Sequence, residues 1–393
     1  MSMFKDRYDI IVIGAGPAGS ITAKTAAENG LSVLVLEKDR DIGIPVRCAE
    51  GVSLKTISQF IEPSPKFIDN QVRKIRFIPP NGVILPINFD NEDGLILNRK
   101  VFDFELAKLA AAKGAQVVTR CYAKGLNRNN GITQVSFDHF GVEYTVEAPL
   151  IVGADGVETM VGRWAGLKTK MSLIDIESCF QYVIYHPDIE SGHLDFYFGS
   201  DVAPGGYLWV FPKGENYANV GLGINTTIEK NRSAKEFLDK FVRDKYPGAS
   251  ILSSIAGSVP SAKIPKKIIG EGVMLVGDAA HQSNPISGGG IATAMFAGRY
   301  ASETAVTAFK KGDFSEKILS GYPKLWNKRL GKEHAILYRL KSAVINLTDD
   351  TFNRAAEKLD KIPYGDRTIF KVFQTTLSNE PGLMVDIFKA FLK

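Results

Sequence analysis

The segment from residue 8 to residue 37 constrains the fold more than any other part of this 393-residue chain. It begins with an apolar run that predicts a buried strand, continues through an alanine-rich stretch that predicts a helix, and ends with a second buried strand. The turn between the first strand and the helix is rich in glycine and consists of Gly14, Ala15, Gly16, Pro17, Ala18 and Gly19. This succession predicts a nucleotide-binding βαβ unit within a parallel sheet.

The residue types in this unit indicate which ligand it binds. Gly14 permits a tight turn, Gly16 lets the backbone approach a pyrophosphate, and Gly19 lets the helix pack closely on the strands. The amino end of the helix adds free N–H groups and a positive dipole. Glu37, 18 residues after Gly19, can accept hydrogen bonds from ribose hydroxyls and would repel a 2′-phosphate. The unit alone therefore predicts FAD or NAD without choosing between them.

Composition and charge exclude several classes of protein. The hydrophobic fraction of 45% and the charged fraction of 23% are ordinary for a soluble protein, and no apolar run is long enough to predict a membrane-spanning helix. An amino terminus without an apolar signal region predicts a cytoplasmic protein. The net charge of +5 is spread along the chain and predicts no nucleic-acid partner. Cys48, Cys121 and Cys179 lack metal-ligand spacing, so no metal site is predicted.

Hydrophobic periodicity divides the chain into three regions. Short alternating runs predict antiparallel strands, whereas buried runs beside helical stretches predict a parallel sheet. We expect an α/β fold (α+β overall), in which a Rossmann-like domain carries an inserted antiparallel-sheet substrate domain and a helical carboxyl-terminal region. The predicted bounds are 1–70, 95–170 and 263–320 for the discontinuous nucleotide-binding domain, 71–94 and 171–262 for the substrate domain, and 321–393 for the helical region.

Shorter segments refine this organisation. Alternation on both sides of a Pro-Pro-Asn-Gly turn predicts a hairpin over residues 74–87. Residues 116–122 are predicted to form a parallel strand that returns to the first sheet. A further hairpin is predicted over 131–147, and a strand followed by a tight turn over 150–156.

A second glycine-rich region, residues 277–291, also carries chemistry. Asp278 directly follows an apolar run that predicts a buried strand, so its carboxylate can bind a sugar or ribityl hydroxyl at the carboxyl edge of the sheet. The glycines before the next predicted helix let main-chain N–H groups face an electron-rich ring or a phosphate. The residues that we expect to contact a cofactor here are Gly277, Asp278, Gly289, Gly290 and Ile291.

Three segments together resemble the flavin motifs of the large FAD family related to para-hydroxybenzoate hydroxylase. They are the turn 14–19, the segment Gly-Ala-Asp-Gly at 153–156, and the pair Gly277-Asp278. The resemblance covers residues 8–300 and implies FAD as the cofactor, with Asp155 beside the flavin. It also implies that Arg99 contacts the cofactor and that Ala123 borders the adenine.

Two further segments resemble motifs of the geranylgeranyl reductases. Residues 204–212, Pro-Gly-Gly-Tyr-Leu-Trp-Val-Phe-Pro, are similar to their P-x-x-Y-x-W-x-F-P motif at every fixed position. Residues 48–51 resemble their C-x-x-G loop beside the flavin, which implies cofactor contacts from Cys48, Ala49 and Gly51. The resemblance implies an FAD-dependent reductase that saturates the double bonds of geranylgeranyl chains, above all those of archaeal digeranylgeranylglycerophospholipids.

Several candidate catalytic residues have alternative roles. Tyr207, Trp209 and Phe211 share one face of a predicted strand, and they either border an apolar substrate chain or pack the core. Cys48 is a cofactor neighbour, a redox-active thiol or a buried thiol. His281 is either a proton donor or a support for its loop, and Tyr207 and bound water are further candidates for the acid. The predicted catalytic residues are Cys48, Tyr207, Trp209 and His281.

Partners and rival functions follow from the same residues. We expect an isoprenoid lipid substrate and an electron donor that is either NAD(P)H or ferredoxin. The amphipathic, basic segments 368–373 and 384–393 predict contact with a membrane surface, closure over a lipid tunnel, or core packing. The rival functions are an aromatic hydroxylase and a flavin-bearing lipid-binding or electron-carrier protein without its own turnover.

Overall fold

A computed structural model describes residues 3–88, 93–378 and 381–391. The strands of these residues are β1 (Ile10–Ile13), β2 (Val33–Leu36), β3 (Gly51–Ser53), β4 (Ile68–Val72), β5 (Lys74–Ile78), β6 (Leu85–Ile87), β7 (Gly94–Leu97), β8 (Gln116–Val118), β9 (Cys121–Asn129), β10 (Ile132–His139), β11 (Val142–Ala148), β12 (Leu150–Gly153), β13 (Ile176–Tyr185), β14 (His193–Tyr197), β15 (Tyr207–Gly214), β16 (Tyr217–Asn225), β17 (Ser250–Pro260), β18 (Ile269–Gly270) and β19 (Val273–Leu275). The helices are α1 (Pro17–Glu28), α2 (Leu54–Ile57), α3 (Arg99–Ala112), α4 (Met160–Trp164), α5 (Ala234–Lys245), α6 (Ile291–Lys311), α7 (Glu316–Leu319), α8 (Gly321–Trp326), α9 (Lys332–Val344), α10 (Asp349–Asp360), α11 (Ile369–Thr376) and α12 (Met384–Phe391).

The predicted nucleotide-binding unit forms the centre of a mostly parallel sheet. The strand order is β18-β19-β12-β1-β2-β8, and β1 pairs in parallel with both β2 and β12. Every residue of β1 and β2 is buried, as expected for central parallel strands that are covered on both faces. The predicted α/β fold class with a Rossmann-like unit is thereby confirmed.

The strand predicted over 116–122 is wrong in its second half. β8 ends at Val118, and Cys121 begins β9 in a separate antiparallel sheet with β10 and β11. Arg120 between them has a φ of +55°, a left-handed conformation that interrupts a strand. The hairpin predicted over 131–147 is confirmed as β10 and β11, although β9 extends it to three strands.

A seven-stranded sheet has the order β17-β13-β16-β15-β14-β5-β6. Neighbouring strands run antiparallel, as predicted, except that β5 and β14 are parallel. The hairpin predicted over 74–87 is confirmed as β5 and β6, which join this sheet from an earlier part of the chain. Helix α5 packs on one face of the sheet through Phe237 and Leu238. The opposite face borders the functional site.

Helices α9 to α12 form the carboxyl-terminal region, which is helical as predicted. Leu337 and Leu340 of α9 pack with Ile387 of α12 in a small apolar cluster. Leu359 of α10 packs with Leu85 of β6 and so ties this region to the seven-stranded sheet. Within the described ranges, no helix combines the length and the apolar character needed to cross a bilayer. The last two residues of the predicted segment 384–393 lie outside the described residues.

Candidate active site

A cavity of about 1400 Å³ runs from the glycine-rich turn to the carboxyl-terminal helices. We call one part of it, lined by residues 16–18, Arg99, Gly277, Asp278 and 284–291 and backed by Gly14, Ala15, Gly19 and Glu37, the cofactor cradle. The remainder is the apolar tunnel (the facing residues of β13, β14, β15 and α9–α12). Because small-molecule pockets usually measure roughly 300–1,000 Å³, this cavity has room for a cofactor and a second molecule.

The structure brings most of the predicted site residues to this cavity. Those that line it are Gly16, Pro17, Ala18, Cys48, Ala49, Gly51, Arg99, Tyr207, Trp209, Phe211, Gly277, Asp278, Gly289, Gly290 and Ile291. A second group of predicted residues packs behind the cavity-lining residues and supports them. Its members are Gly14, Ala15, Gly19, Glu37 and Asp155. Ala123 and His281 lie away from the cavity.

Close backbone approaches shape the glycine-rich turn. A side chain at Gly14 would overlap the carbonyl group of Ala154, and a side chain at Gly19 would overlap the carbonyl oxygen of Gly14. Gly14 also has a φ of +104°, which residues with a Cβ atom rarely adopt. Gly16, by contrast, faces open space within the cavity, so its backbone is accessible to a ligand. The turn therefore has the form that a bound pyrophosphate requires.

Glu37 braces this turn from the end of β2. Its Oε2 accepts a hydrogen bond from the N–H of Ala15 at 2.8 Å, and its Oε1 accepts one from the N–H of Asp39 at 2.9 Å. Burial raises the pKa of this carboxyl, and the two N–H donors oppose the rise. Since a carboxylate offers about four lone-pair positions, capacity is left for ribose hydroxyls.

Asp278 lies at the cavity wall after β19, against the amino end of α6. A Cβ atom at Gly290 would come within 3.3 Å of its Oδ1. Burial raises the pKa of Asp278, and the charge of Arg99 lowers it. No donor in the described part of the chain forms a hydrogen bond to this carboxylate. An acid placed in this way suits a ligand that brings its own hydroxyl groups.

Arg99 is held in place by acidic residues on both sides. Its Nε and Nη2 donate to the two carboxylate oxygens of Asp103, each at 2.7 Å, and this bidentate pair fixes the guanidinium. Its backbone N–H donates to Oε1 of Glu50 at 2.8 Å. Glu50 is 2% exposed and forms an ion pair with Lys213 of β15. The first residue of α3 is thereby joined to the loop 48–51 and to the seven-stranded sheet.

The loop 48–51 is also fastened to that sheet by two amides. Nε2 of Gln181 donates to the carbonyl oxygen of Cys48 at 3.1 Å, and Nδ2 of Asn219 donates to that of Ala49 at 3.2 Å. These bonds fix the backbone of the loop at the boundary between the cofactor cradle and the apolar tunnel.

The Cys48 side chain is half-buried at this boundary. Its Sγ accepts a hydrogen bond from the N–H of Glu50 at 3.2 Å. Burial raises the pKa of the thiol above its ordinary value, and the nearby charge of Arg99 only partly offsets the rise. The neutral thiol therefore predominates near neutral pH, which favours a role as a neighbour of the cofactor over one as a nucleophile.

The three aromatic residues of β15 face the cavity together. The Tyr207 hydroxyl donates to the carbonyl oxygen of Ser287 at 2.5 Å, and Nε1 of Trp209 donates to Oε1 of Gln181 at 3.0 Å. The rings of Tyr207 and Trp209 meet edge to face, 5.8 Å apart, and Phe211 continues the row. These residues pack with their neighbours and line the tunnel, and their contact with a substrate chain stays a prediction.

Glycines leave room for these rings. A Cβ atom at Gly221 of β16 would lie 2.6 Å from the Trp209 indole, and one at Gly51 would lie 3.2 Å from the Phe211 ring. A larger residue at either position would displace the aromatic side chain into the tunnel. The loop 48–51 can therefore lie directly on β15.

The structure does not bring His281 to the cavity. Its side chain is buried, and Nδ1 lies 3.2 Å from the carbonyl oxygen of Lys263. Burial lowers the pKa of its imidazole. His281 therefore supports its loop, and the predicted role as proton donor is incompatible with this position. Ala123 lies in β9, whose first residue Cys121 donates to the carbonyl oxygen of Glu37 at 2.8 Å, and its contact with the adenine stays a prediction.

Sequence reasoning missed several polar residues of the site. Glu50 and Lys213 form their ion pair across 163 positions, and Glu177 of β13 and Lys341 of α9 also line the cavity. The sequence gives one indication for Glu50: a charged residue stands within the loop 48–51, whose other residues were predicted to contact the cofactor. For the others, only the folded sheet places them together.

Comparisons with known proteins agree with this geometry. Residues 9–177 match the model of the FAD dependent oxidoreductases, and residues 175–259 match that of the geranylgeranyl reductase catalytic domain. The digeranylgeranylglycerophospholipid reductase of Methanocella arvoryzae is 43% identical over 98% of this chain and 99% of its own length. The chain belongs to the geranylgeranyl reductase family. The predicted resemblance is thereby confirmed.

Solved structures separate this family from the wider fold. A geranylgeranyl bacteriochlorophyll reductase-like protein from Thermoplasma acidophilum superposes with a TM-score of 0.92 at 34% identity, covering 98% of this chain and all of the other. The p-nitrophenol 4-monooxygenase of Pseudomonas putida superposes with a TM-score of 0.70 at 16% identity, over 97% of this chain and 98% of the other. The second similarity reflects the shared fold alone.

The geranylgeranyl reductase fold fits FAD, which is confirmed as the cofactor. Gly16 offers an open backbone for the pyrophosphate, Glu37 keeps lone pairs for the ribose, and Asp278 has a carboxylate ready for a ligand hydroxyl. Across the described ranges, no group of three or more His, Cys, Asp or Glu residues could hold a metal ion. The protein is an FAD-dependent oxidoreductase.

Proposed function

We propose that this reductase saturates the isoprenoid double bonds of geranylgeranyl chains and that digeranylgeranylglycerophospholipids are its substrates. One observation carries the proposal: a single cavity continues from the cofactor cradle into the apolar tunnel. The name of the Methanocella arvoryzae relative supports the choice of lipid. The domain division predicted from the sequence is part of the proposal, with FAD in the discontinuous domain and the lipid against the inserted sheet.

Saturation of an isolated alkene adds a hydride to one carbon and a proton to the other. FAD, when reduced and bound, supplies the hydride. The protein must hold the alkene in one orientation, keep water away and provide an acid. We assign the first two tasks to Tyr207, Trp209 and Phe211, because their rings form an apolar wall beside the loop 48–51. The cradle residues described above are assigned to FAD.

The length of the tunnel suits a substrate with several double bonds. Beyond β15 the wall continues with Leu337 of α9, Phe352 of α10 and Phe373 of α11. Each methylene group that leaves water contributes about 0.8 kcal/mol, so a long chain gains binding energy all along this wall. Because these contacts are apolar and undirected, the chain can slide and present one double bond after another.

We extend the proposal to contact with a membrane surface, where such lipids reside. Val385 and Phe388 of α12 are 58% and 45% exposed, and Phe391 of the same helix lines the tunnel. Exposed apolar side chains beside a tunnel wall are suited to a lipid interface. Replacing both Val385 and Phe388 with serine should reduce co-sedimentation with anionic vesicles, whereas replacing the exposed Phe140 of a distant turn should not.

The proposal is tested by anaerobic incubation of the photoreduced enzyme with a geranylgeranyl lipid. We expect the absorbance of oxidised flavin to return without oxygen and the lipid to gain two hydrogens for each bond reduced. A fully saturated analogue should bind without reoxidising the flavin. Reoxidation only after oxygen is admitted, with an oxygenated aromatic product, would instead support a hydroxylase. Tight lipid binding without any reoxidation would support a carrier.

The electron donor is proposed to be either NAD(P)H or ferredoxin. Stopped-flow reduction of the enzyme-bound FAD by each, under the same anaerobic conditions, distinguishes them. The physiological donor should reduce the flavin at least as fast as the enzyme turns over in the steady state.

A further inference from the structure

Glu177 is a cavity-lining acid that neither the cofactor nor the aromatic wall explains. It lies on β13, where Glu177, Cys179 and Gln181 alternate onto the face that borders the cavity. Gln181 on this face donates to the loop 48–51 and accepts from Trp209. The side chain of Glu177 therefore belongs to the same surface as the residues next to the flavin site.

Strand register fixes the position of Glu177 relative to the aromatic wall. Trp209, Gly221 and Gln181 lie opposite one another across β15, β16 and β13. Tyr207, Gly223 and Cys179 form the next row, and Glu177 with Asn225 forms the row after that. Consecutive rows are about 7 Å apart, since a strand advances roughly 3.4 Å per residue. Glu177 is thus one row beyond Tyr207.

Gly223, which lies opposite Tyr207 in its row, places no side chain beside Cys179 and Glu177. A Cβ atom at Gly223 would lie 3.2 Å from Sγ of Cys179 and 3.7 Å from Cβ of Glu177. Because Gly223 has no side chain, nothing from β16 separates the Tyr207 ring from the β13 side chains. Glu177 and Cys179 both line the cavity at this point.

The hydrogen bonds of Glu177 leave one of its oxygens unused. Oε1 accepts from Oγ of Ser261 at 3.0 Å and from Nδ2 of Asn225 at 3.3 Å. Oε2 is buried and has no partner within the residues that the structure describes. A charged carboxylate with a bare oxygen in a buried site is costly, whereas a protonated carboxyl is neutral and has one O–H to donate.

Burial, and not the surrounding charges, shifts Glu177 toward the protonated form. Burial raises its pKa most strongly; Lys341 of α9 lowers it, and Asp175 raises it. The Lys341 ammonium already donates to the carbonyl oxygens of Ile174 and Ser261, at 2.7 and 3.0 Å, and to Ser261 Oγ at 2.9 Å. The remaining titratable neighbours, Cys179 and Tyr207, have pKa values that burial raises, so neither carries charge near neutral pH.

We propose that Glu177 is the proton donor of the reduction. This inference rests on the proposed function. The O–H bond of the Glu177 carboxyl breaks and a C–H bond forms at one alkene carbon, while the other carbon receives the hydride that reduced FAD supplies. The alkene is reduced, the flavin is oxidised, and Glu177 remains as a carboxylate that solvent reprotonates before the next cycle.

The phenol and the thiol beside the aromatic wall are weaker acids than a carboxyl. The Tyr207 hydroxyl donates to Ser287, and burial raises its pKa. Burial also raises the pKa of the Cys48 thiol. A carboxyl is intrinsically a stronger acid than a phenol or a thiol even after its pKa has risen. Glu177 therefore combines acidity with a position in the cavity lining.

The test compares Glu177→Gln and Glu177→Asp with wild-type enzyme in anaerobic single turnover. We expect Glu177→Gln to slow flavin reoxidation by geranylgeranyl lipid roughly 10²–10⁴-fold, the usual contribution of a general acid, with FAD content and lipid Kd unchanged. Glu177→Asp keeps the carboxyl group on a shorter side chain, so its rate of flavin reoxidation should lie between those of wild type and Glu177→Gln. The matched control is Glu215→Gln in the exposed turn between β15 and β16, which should react like wild type.

Two further readouts distinguish proton donation from a structural role. The wild-type rate should fall as the pH rises through the pKa of Glu177, and Glu177→Gln should lose this dependence. In the oxidised enzyme, without turnover, infrared difference spectra between wild type and Glu177→Gln should contain the carbonyl band of a protonated carboxyl. Absence of that band, or a Glu177→Gln rate within about twofold of wild type, would overturn the proposal. If wild-type flavin is not reoxidised at all, the proposed function fails, and this assignment fails with it.

Discussion

The cofactor cradle and the apolar tunnel belong to one cavity but are built in opposite ways. The cradle presents backbone groups and acids, and one added methyl group at Gly14 or Gly19 would collide with neighbouring carbonyls. The tunnel presents apolar side chains from the seven-stranded sheet and from α9–α12, which exchange for one another at modest cost. Backbone shape therefore determines which cofactor the cradle accepts. Side-chain volume and a few buried polar groups determine which substrate the tunnel accepts.

The sharpest test of the cradle is Gly14→Ala. Strain at a φ of +104° adds to the collision with Ala154, so we expect a loss of more than about 3 kcal/mol in unfolding free energy and no retained FAD. Flavin absorbance of the purified protein and urea denaturation measure both effects. Gly30→Ala is the matched control, because Gly30 has a φ of +84° but open space around it, and it should cost about 1 kcal/mol. A Gly14→Ala protein that retains FAD would break the comparison.

The equivalent test beside the tunnel is Lys341→Met. Lys341 is 4% exposed, and its loss removes the donor to the Ile174 and Ser261 carbonyl oxygens and the charge that pairs with Asp175. We expect unfolding free energy to fall by about 3 kcal/mol, as when one member of a buried pair is removed. Lys332→Met, on the exposed side of the same helix, should change it by less than about 0.5 kcal/mol. Equal stabilities for the two variants would show that α9 is not anchored to the sheet by this contact.

Asp278→Asn separates cofactor binding from stability within the cradle. The pKa of Asp278 is raised in the folded protein, so its protonated form stabilises the fold and that contribution is lost as the pH rises through the folded pKa. The variant apoprotein should therefore have a higher Tm than wild-type apoprotein at neutral pH, an advantage that disappears at acid pH. Its FAD affinity should fall about tenfold to a hundredfold, or 1.4–2.8 kcal/mol. Calorimetry measures the change in Tm, and flavin titration measures the change in FAD affinity. A fall in both the Tm and the FAD affinity would contradict this account.

The smallest effect is expected at the far end of the tunnel. Phe352 stacks on Phe198 at a ring separation of 5.5 Å and lines the cavity. Phe352→Ala should weaken binding of a geranylgeranyl lipid by up to about tenfold but leave a short prenyl analogue unaffected. Phe140→Ala, at a ring that is 69% exposed, is the control. An equal loss for long and short chains would place Phe352 outside the substrate path.

The same contrast explains how much could be predicted from the sequence. The turn 14–19 and Glu37 lie within one βαβ unit, so their spacing alone predicts the cradle. The strand over 116–122 was mispredicted, because apolar periodicity does not reveal the left-handed residue Arg120. Local pattern thus predicts elements better than it predicts where they end.

The tunnel and its polar residues were harder to predict. The hydrogen bonds of Glu177 reach Ser261 across 84 positions, and those of Lys341 reach Ser261 across 80. Only the pairing of β13 with β16 and β17, and the packing of α9 against them, brings these groups together. His281 illustrates the reverse error, because a histidine beside a cofactor motif in sequence faces away from the cavity in the fold.

The central claim is that the cradle and the tunnel act as one reductive site. It is tested most directly by the stoichiometry of a single anaerobic turnover, in which the amount of flavin reoxidised is compared with the number of lipid double bonds lost by mass spectrometry. We predict one double bond saturated for each flavin reoxidised, with no oxygen required. Flavin that stays reduced in the presence of bound lipid, or that is reoxidised while the lipid mass is unchanged, would contradict the claim.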